Sequence, residues 1–144
     1  MVLAFEKVAD VLGLPPRETA ARSPLGLVSR IEGGLPLTVL ERVSQLLAPN
    51  DGHFKYRFVP KATLERRKVS LRLSPEEGTR VARVARVWSL AIDVWQSPEG
   101  ARDFLFRNHP MIEDRAPIDV VIQNEIGAEL VLEILASLKY GSAA

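Results

Sequence analysis

Residues 74–97, SPEEGTRVARVARVWSLAIDVWQS, decide the fold. Ser74 is a helix-capping residue type, Pro75 suits the first helical position, and Glu77 stands where a capping box needs an acid. From Glu77, the apolar residues Val81, Val84, Trp88, Ile92 and Trp95 follow at steps of four, three, four, four and three. That is the period of a helix, not of a strand. Arg80, Arg83 and Arg86 fall on a neighbouring face. Ser97-Pro98 ends the segment, because proline disfavours helical geometry in the residue before it. One long amphipathic helix is expected, with a basic segment before it and a helical, neutral-to-acidic segment after it.

Working towards the N-terminus, residues 61–68 (KATLERRK) read as a short basic helix opened by Pro60. HFKYRFV, residues 53–59, alternates like a strand but lies between helices, and an extended loop is expected there. Pro49-Asn50-Asp51-Gly52 is a turn. A helix from Pro36 carries Val39, Leu40, Val43, Leu46 and Leu47 on one side. Residues 25–32 form a shorter helix, capped at Ser23-Pro24 and stopped by Gly33-Gly34, after a loop over residues 17–24. Residues 2–12 read as the first helix, with Phe5, Val8, Val11 and Leu12 together, ended by Gly13-Leu14-Pro15-Pro16.

Towards the C-terminus, PEGARDFLF predicts a short helix burying Ala101, Phe104 and Leu105. Residues 107–117 form a loop, and Pro117 opens PIDVVI. Asn124 can cap the last helix, EIGAELVLEILASLKY, which Gly141 ends ahead of the tail at residues 142–144. Ile126, Leu130, Val131, Ile134, Leu135 and Leu138 are expected to be its core side, with Glu125, Glu129 and Glu133 facing water. The whole reads as all-α, with residues 1–72 as a DNA-binding unit and residues 73–144 as a second helical unit.

Composition narrows the function. With no cysteine among 144 residues, disulfides and thiolate metal sites are excluded. No apolar run approaches the ~20 residues of a membrane span. The start, MVLAFEKVAD, lacks the basic opening of a signal peptide, and a cytoplasmic protein is expected. The net charge of +1 hides an asymmetry: residues 53–86 hold ten Lys and Arg against three Glu, and the rest holds nine basic against fifteen acidic side chains. A concentrated basic segment marks an anion-binding face, with a merely solvated face as the alternative.

Enzyme chemistry has little support. His53 and His109 are far apart, neither has a companion at helical metal-site spacing, and no glycine-rich loop fits a phosphate cradle. Asp93, the one acid on the inner half of the long helix, reads as an ion-pair or capping partner. No enzyme, metal or cofactor is expected. A helix before a bent connection and a short basic helix after it is the helix-turn-helix pattern. Lys61, Thr63, Arg66, Arg67 and Lys68 are its candidate DNA contacts: cations for phosphate or guanine, and a threonine for a thymine methyl or a phosphate. Lys55, Arg57 and Arg72 would extend the phosphate-facing strip. One short helix reads few base pairs, so a dimer is expected, through the N-terminal helices or the apolar side of the long helix.

Ordered motifs then point to a family. VSRIEGGLPL at 28–37, VPKATLERRK at 59–68, LSPEEGTRVARV at 73–84, FLFRNHPMIEDRAPIDVV at 104–121, and Gly127, Val131, Leu135 and Gly141 follow in sequence. Together they resemble the Xre/MbcA/ParS antitoxins, which pair with RES-domain toxins. Gln96 departs from the pattern, standing where glycine is common, and the insert-like PNDGHFKYRF lies in the DNA-binding half. The resemblance implies an Xre-like helix-turn-helix followed by a toxin-binding domain. It also implies an NAD-consuming toxin whose NAD cleft the antitoxin covers, and repression of the pair's own promoter. Arg80, Arg83, Glu133, Lys139, Tyr140 and Gly141 are the candidate toxin contacts. The alternative is a stand-alone transcriptional regulator whose C-terminal part dimerises.

Overall fold

The computed structural model describes residues 5–141. The expected helical residues 2–4, the side chain of Phe5 and the tail at residues 142–144 lie outside what is described. Eight α-helices account for most of the described chain: α1 (Phe5–Leu12), α2 (Pro24–Glu32), α3 (Leu37–Leu47), α4 (Lys61–Ser70), α5 (Pro75–Trp95), α6 (Pro98–Phe106), α7 (Pro117–Gln123) and α8 (Glu125–Tyr140). Three short 3-10 turns, Thr19–Arg22, Phe54–Arg57 and Pro110–Ile112, join them. Among the described residues the only extended pairings are single bridges, Pro36 with Arg72 and His109 with Arg115. The all-α architecture expected from the sequence is what forms.

α5 is the axle. Its capping box is complete: Ser74 Oγ accepts from the Glu77 N–H at 3.2 Å, and Glu77 Oε1 accepts from the Ser74 N–H at 2.8 Å. Its buried face is wider than the expected stripe. Val81, Val84 and Trp88 are joined in the core by Ala82, Ala85, Val87, Leu90 and Ala91, while Trp95 at the far end is exposed. Small alanines between larger side chains let neighbouring helices approach on several sides, and α1, α2, α3, α6, α7 and α8 all pack on this one helix. One continuous core runs from Val8 to Leu135. The apolar side of α5 is therefore filled by its own chain except at Trp95, which leaves little of that expected dimer surface for a second copy.

Local sequence explains the other helix ends. Ser23 Oγ accepts from Gly26 N–H at 3.1 Å, Ser97 Oγ from Gly100 N–H at 3.0 Å, and Asn124 Oδ1 from Ile126 N–H at 2.7 Å. α2 ends at the glycine pair, where Gly34 takes φ +94°. α5 ends one residue earlier than the proline alone would dictate, because Gln96 turns left-handed at φ 57° and Ser97 starts the cap of α6. A left-handed residue after a helix favours glycine. Gln96→Gly is expected to raise unfolding stability by about 0.5–1 kcal/mol, read by thermal or urea denaturation.

Two expectations are corrected. Residues 53–59 are not an extended loop: Phe54–Arg57 is a 3-10 turn, and Phe54, Phe58 and Val59 are buried. Phe54 and Phe58 meet edge-on at 5.5 Å, which four-residue spacing on a helical turn allows. Alternation suggests a strand, but among the described residues no strand lies beside it to pair with. α8 differs too. It buries Ala128, Val131, Leu132 and Leu135, whereas Ile126 is 80 % exposed and Leu130 and Leu138 also face solvent.

Candidate functional site

The basic segment folds into α4 and its flanks. Pro60 precedes α4 and no side chain caps the helix, so its first N–H groups are open to an anion. Lys61 and Arg66 are exposed, Thr63 is half-buried, and Arg66 Nη2 lies 3.4 Å from Thr63 Oγ1 as donor. Lys68 Nζ pairs with Glu65 at 3.0 Å, an exposed i, i+3 pair that a phosphate could replace at small cost. Lys61, Thr63, Arg66 and Lys68 thus share one short helix with their polar ends within reach of solvent.

Arg67 stands apart from these four. Its Nε donates to Glu77 Oε1 at 2.9 Å and its Nη2 to Glu77 Oε2 at 3.2 Å, a two-pronged grip on the capping-box carboxylate. Glu77 is only 6 % exposed. Burial pushes its carboxyl up, but hydrogen bonds from Arg67 and the Ser74 backbone, with the charge of Arg67, outweigh burial and hold it below the usual range. The outer strip is also engaged within the chain. Lys55 pairs with Glu41 at 3.0 Å, Arg57 pairs with Asp119, and Arg72 donates to the Gly34 carbonyl at 3.0 Å.

Arg80 and Arg83 turn inward. Arg80 donates to the Phe58 carbonyl. Arg83 donates to the carbonyls of Val121 and Ile122 at 3.2 and 3.1 Å and to Glu125 Oε2 at 3.0 Å. It therefore caps the last turn of α7 and ties α5 to the start of α8. Arg86 lies 3.8 Å from Glu125 and from Glu129. These arginines brace the chain, and their place in the helix motif has a structural cause.

The remaining expected toxin contacts gather at α8. Glu133 and Tyr140 are exposed. Lys139 Nζ lies 3.2 Å from Asp93 Oδ2 and 5.3 Å from the Tyr140 ring centre. Asp93 also holds Lys7 at 3.3 Å, so one carboxylate joins α1, α5 and the end of α8, the ion-pair role expected for it. Gly141 closes the helix at φ +80°. Sequence reasoning missed Ile126, Leu130 and Leu138 as surface residues. The signal was present: apolar residues occupy most of the circumference of α8, more than one packed face requires. At 100° per residue, Ile126 and Leu130 point outward with Glu133 and Tyr140, while Glu129 and Ile134 stand at opposite edges of that face. His109 is structural: its Nε2 lies 2.9 Å from the Phe104 carbonyl and its ring packs on Phe104 at 4.9 Å.

Comparison with known families matches both halves. The model of the antitoxin Xre-like helix-turn-helix domain matches residues 26–86, which take in α2, α3, α4 and the first half of α5. The model of the antitoxin Xre/MbcA/ParS C-terminal toxin-binding domain matches residues 90–141, the end of α5 with α6, α7 and α8. A search of curated proteins gives no match. With a DNA-binding helix-turn-helix and a toxin-binding domain in that order, sharing α5, the chain belongs to the Xre/MbcA/ParS family of antitoxins.

Proposed function

We propose that this antitoxin neutralises a RES-type, NAD-consuming toxin by laying the outer face of α8 and the chain end over the toxin's NAD cleft. With the toxin bound, it represses its own promoter through α4. The observation that carries this reading is the face itself. Ile126, Leu130 and Tyr140 are large side chains left exposed on one face inside the toxin-binding domain, with Glu129 and Glu133 beside them. An exposed apolar line with a charged border marks a protein interface. Residues 87–144 carry four basic and nine acidic side chains. A cleft that accepts a dinucleotide pyrophosphate is electropositive, so an acidic lid complements it in field.

The same face suits a second copy less well. A two-fold pairing centred on Ile126 and Leu130 brings Glu129 close to its own equivalent, and like charges so placed repel. The dimer that two operator half-sites call for then falls to the front half, where Leu25, Val28, Val69 and Leu71 are exposed. On the DNA side, Lys61, Thr63, Arg66 and Lys68 are the contacts, assisted by the open N–H groups at the start of α4.

Truncation after Leu138 tests the chain end. The shortened chain lacks Lys139, Tyr140 and Gly141, and is expected to leave NAD falling in cells that express the product of the adjacent reading frame. Undiminished protection of NAD by the truncated chain rules out the tail as the plug.

A further inference from the structure

We propose that Glu77 is a positioning residue for DNA reading, and that Arg67 acts with it to set the roll of the recognition helix rather than touching DNA. The two ends of α4 are fixed by their neighbours. Val59 is fully buried just before it, and after it Leu37 N–H donates to the Leu71 carbonyl at 3.2 Å and Leu73 N–H to the Leu35 carbonyl at 2.8 Å. Fixed ends leave the rotation of the helix about its own axis open, and that rotation decides which side chains meet the groove.

Two side chains oppose it. Leu64 is the one buried residue of α4. Arg67, one turn further on and on the same side, is the other attachment. Its planar fork meets both oxygens of Glu77, which fixes direction as well as distance, and a lysine could not do the same. Glu77 is itself held: it is buried, it accepts from the Ser74 backbone, and it sits in the first turn of the longest helix, where the helix dipole favours an anion. The recognition helix is thereby indexed to α5, the element on which the toxin-binding half also packs. With Arg67 locked, the exposed Lys61, Arg66 and Lys68 keep fixed directions around α4, with Arg66 on the side away from Leu64.

The test separates positioning from contact. Glu77→Gln keeps the capping box, since glutamine serves at that position, but loses the charge that binds Arg67. Arg67→Met keeps length and loses the fork. The full chain and each variant are titrated with a duplex carrying the region upstream of the gene and with a random-sequence duplex, over a range of salt. Both single variants are expected to lose at least about tenfold in preference for the upstream duplex, the double variant to be no worse than either, and the salt dependence to stay as in the parent. Retained binding of the toxin shows that the fold is intact. A fall of about one in the salt slope for Arg67→Met means that Arg67 neutralises a phosphate and overturns the proposal. Unchanged preference in Glu77→Gln overturns it as well.

Discussion

Gly127→Ala is expected to cost the protein about 2–3 kcal/mol and lower its melting temperature by about 10 °C. A helical glycine replaced by alanine normally gains stability, by about 0.5–1 kcal/mol. Here the sign reverses because of what the new methyl group would meet. A Cβ on Gly127 would stand 2.3 Å from the Val120 carbonyl oxygen and 2.8 Å from its carbon. Those are backbone atoms of α7, so no side chain can swing aside and α7 must move away from α8. Val120, Val121, Ala128 and Val131, all buried, lose their fit together. Circular dichroism on heating measures the loss, and a melting temperature at or above the parent's would show that the two helices are less tightly docked than the structure has them.

The neighbouring position is expected to behave in the opposite way. Ile126→Asp leaves stability unchanged or slightly raised, since Ile126 is 80 % exposed and lies in the first turn of α8, where a negative charge suits the helix dipole. The same change places a desolvated carboxylate within the proposed toxin interface. Loss of one apolar anchor with burial of an unpaired charge is expected to weaken toxin binding roughly a hundredfold. Titration of the variant into purified toxin reads the affinity, and its melting curve reads the fold. Parent-like affinity would move the interface away from the outer face of α8. Two adjacent residues thus separate holding the helix in place from presenting it.

Much of this architecture is legible in the sequence because its helix ends carry side-chain chemistry. Ser23, Ser74, Ser97 and Asn124 each cap a helix, and three of the four are followed at once by proline. Such signals are local, so reading them requires no knowledge of the fold. The failures are not local. Phe54, Tyr56 and Phe58 alternate as in a strand, but their burial is decided by α3 and α6: Phe54 meets Phe106 at 5.7 Å, far along the chain. Without a partner strand, the backbone settles into a 3-10 turn that places Phe54 and Phe58 inward.

The candidate site divides along the same line. The basic charge of α4 is local: Lys61, Arg66 and Lys68 are exposed, Thr63 and Arg67 part-buried. A sequence shows that an arginine is charged but not what answers the charge. Arg67 finds Glu77 ten residues away, Arg83 finds Glu125 at a separation of 42, and Arg57 finds Asp119 at 62. Those partners show that each of the three arginines also has a bracing role within the chain. α8 misled for a related reason. Its apolar spacing suggests one core side, yet α5 and α7 bury only part of it. The surplus is the exposed face, and a surplus of apolar surface on a small domain is a binding feature before it is a packing one.

The account depends most on the claim that this chain shields cells from an NAD-consuming partner by binding it. The direct measurement is co-expression of the intact chain with the product of the adjacent reading frame, followed by purification of the pair and assay of cellular NAD. The account predicts one stable complex and NAD held at its normal level, with NAD collapsing when the partner is expressed alone. A partner that fails to co-purify, together with NAD that is the same in the presence and absence of this chain, would contradict it.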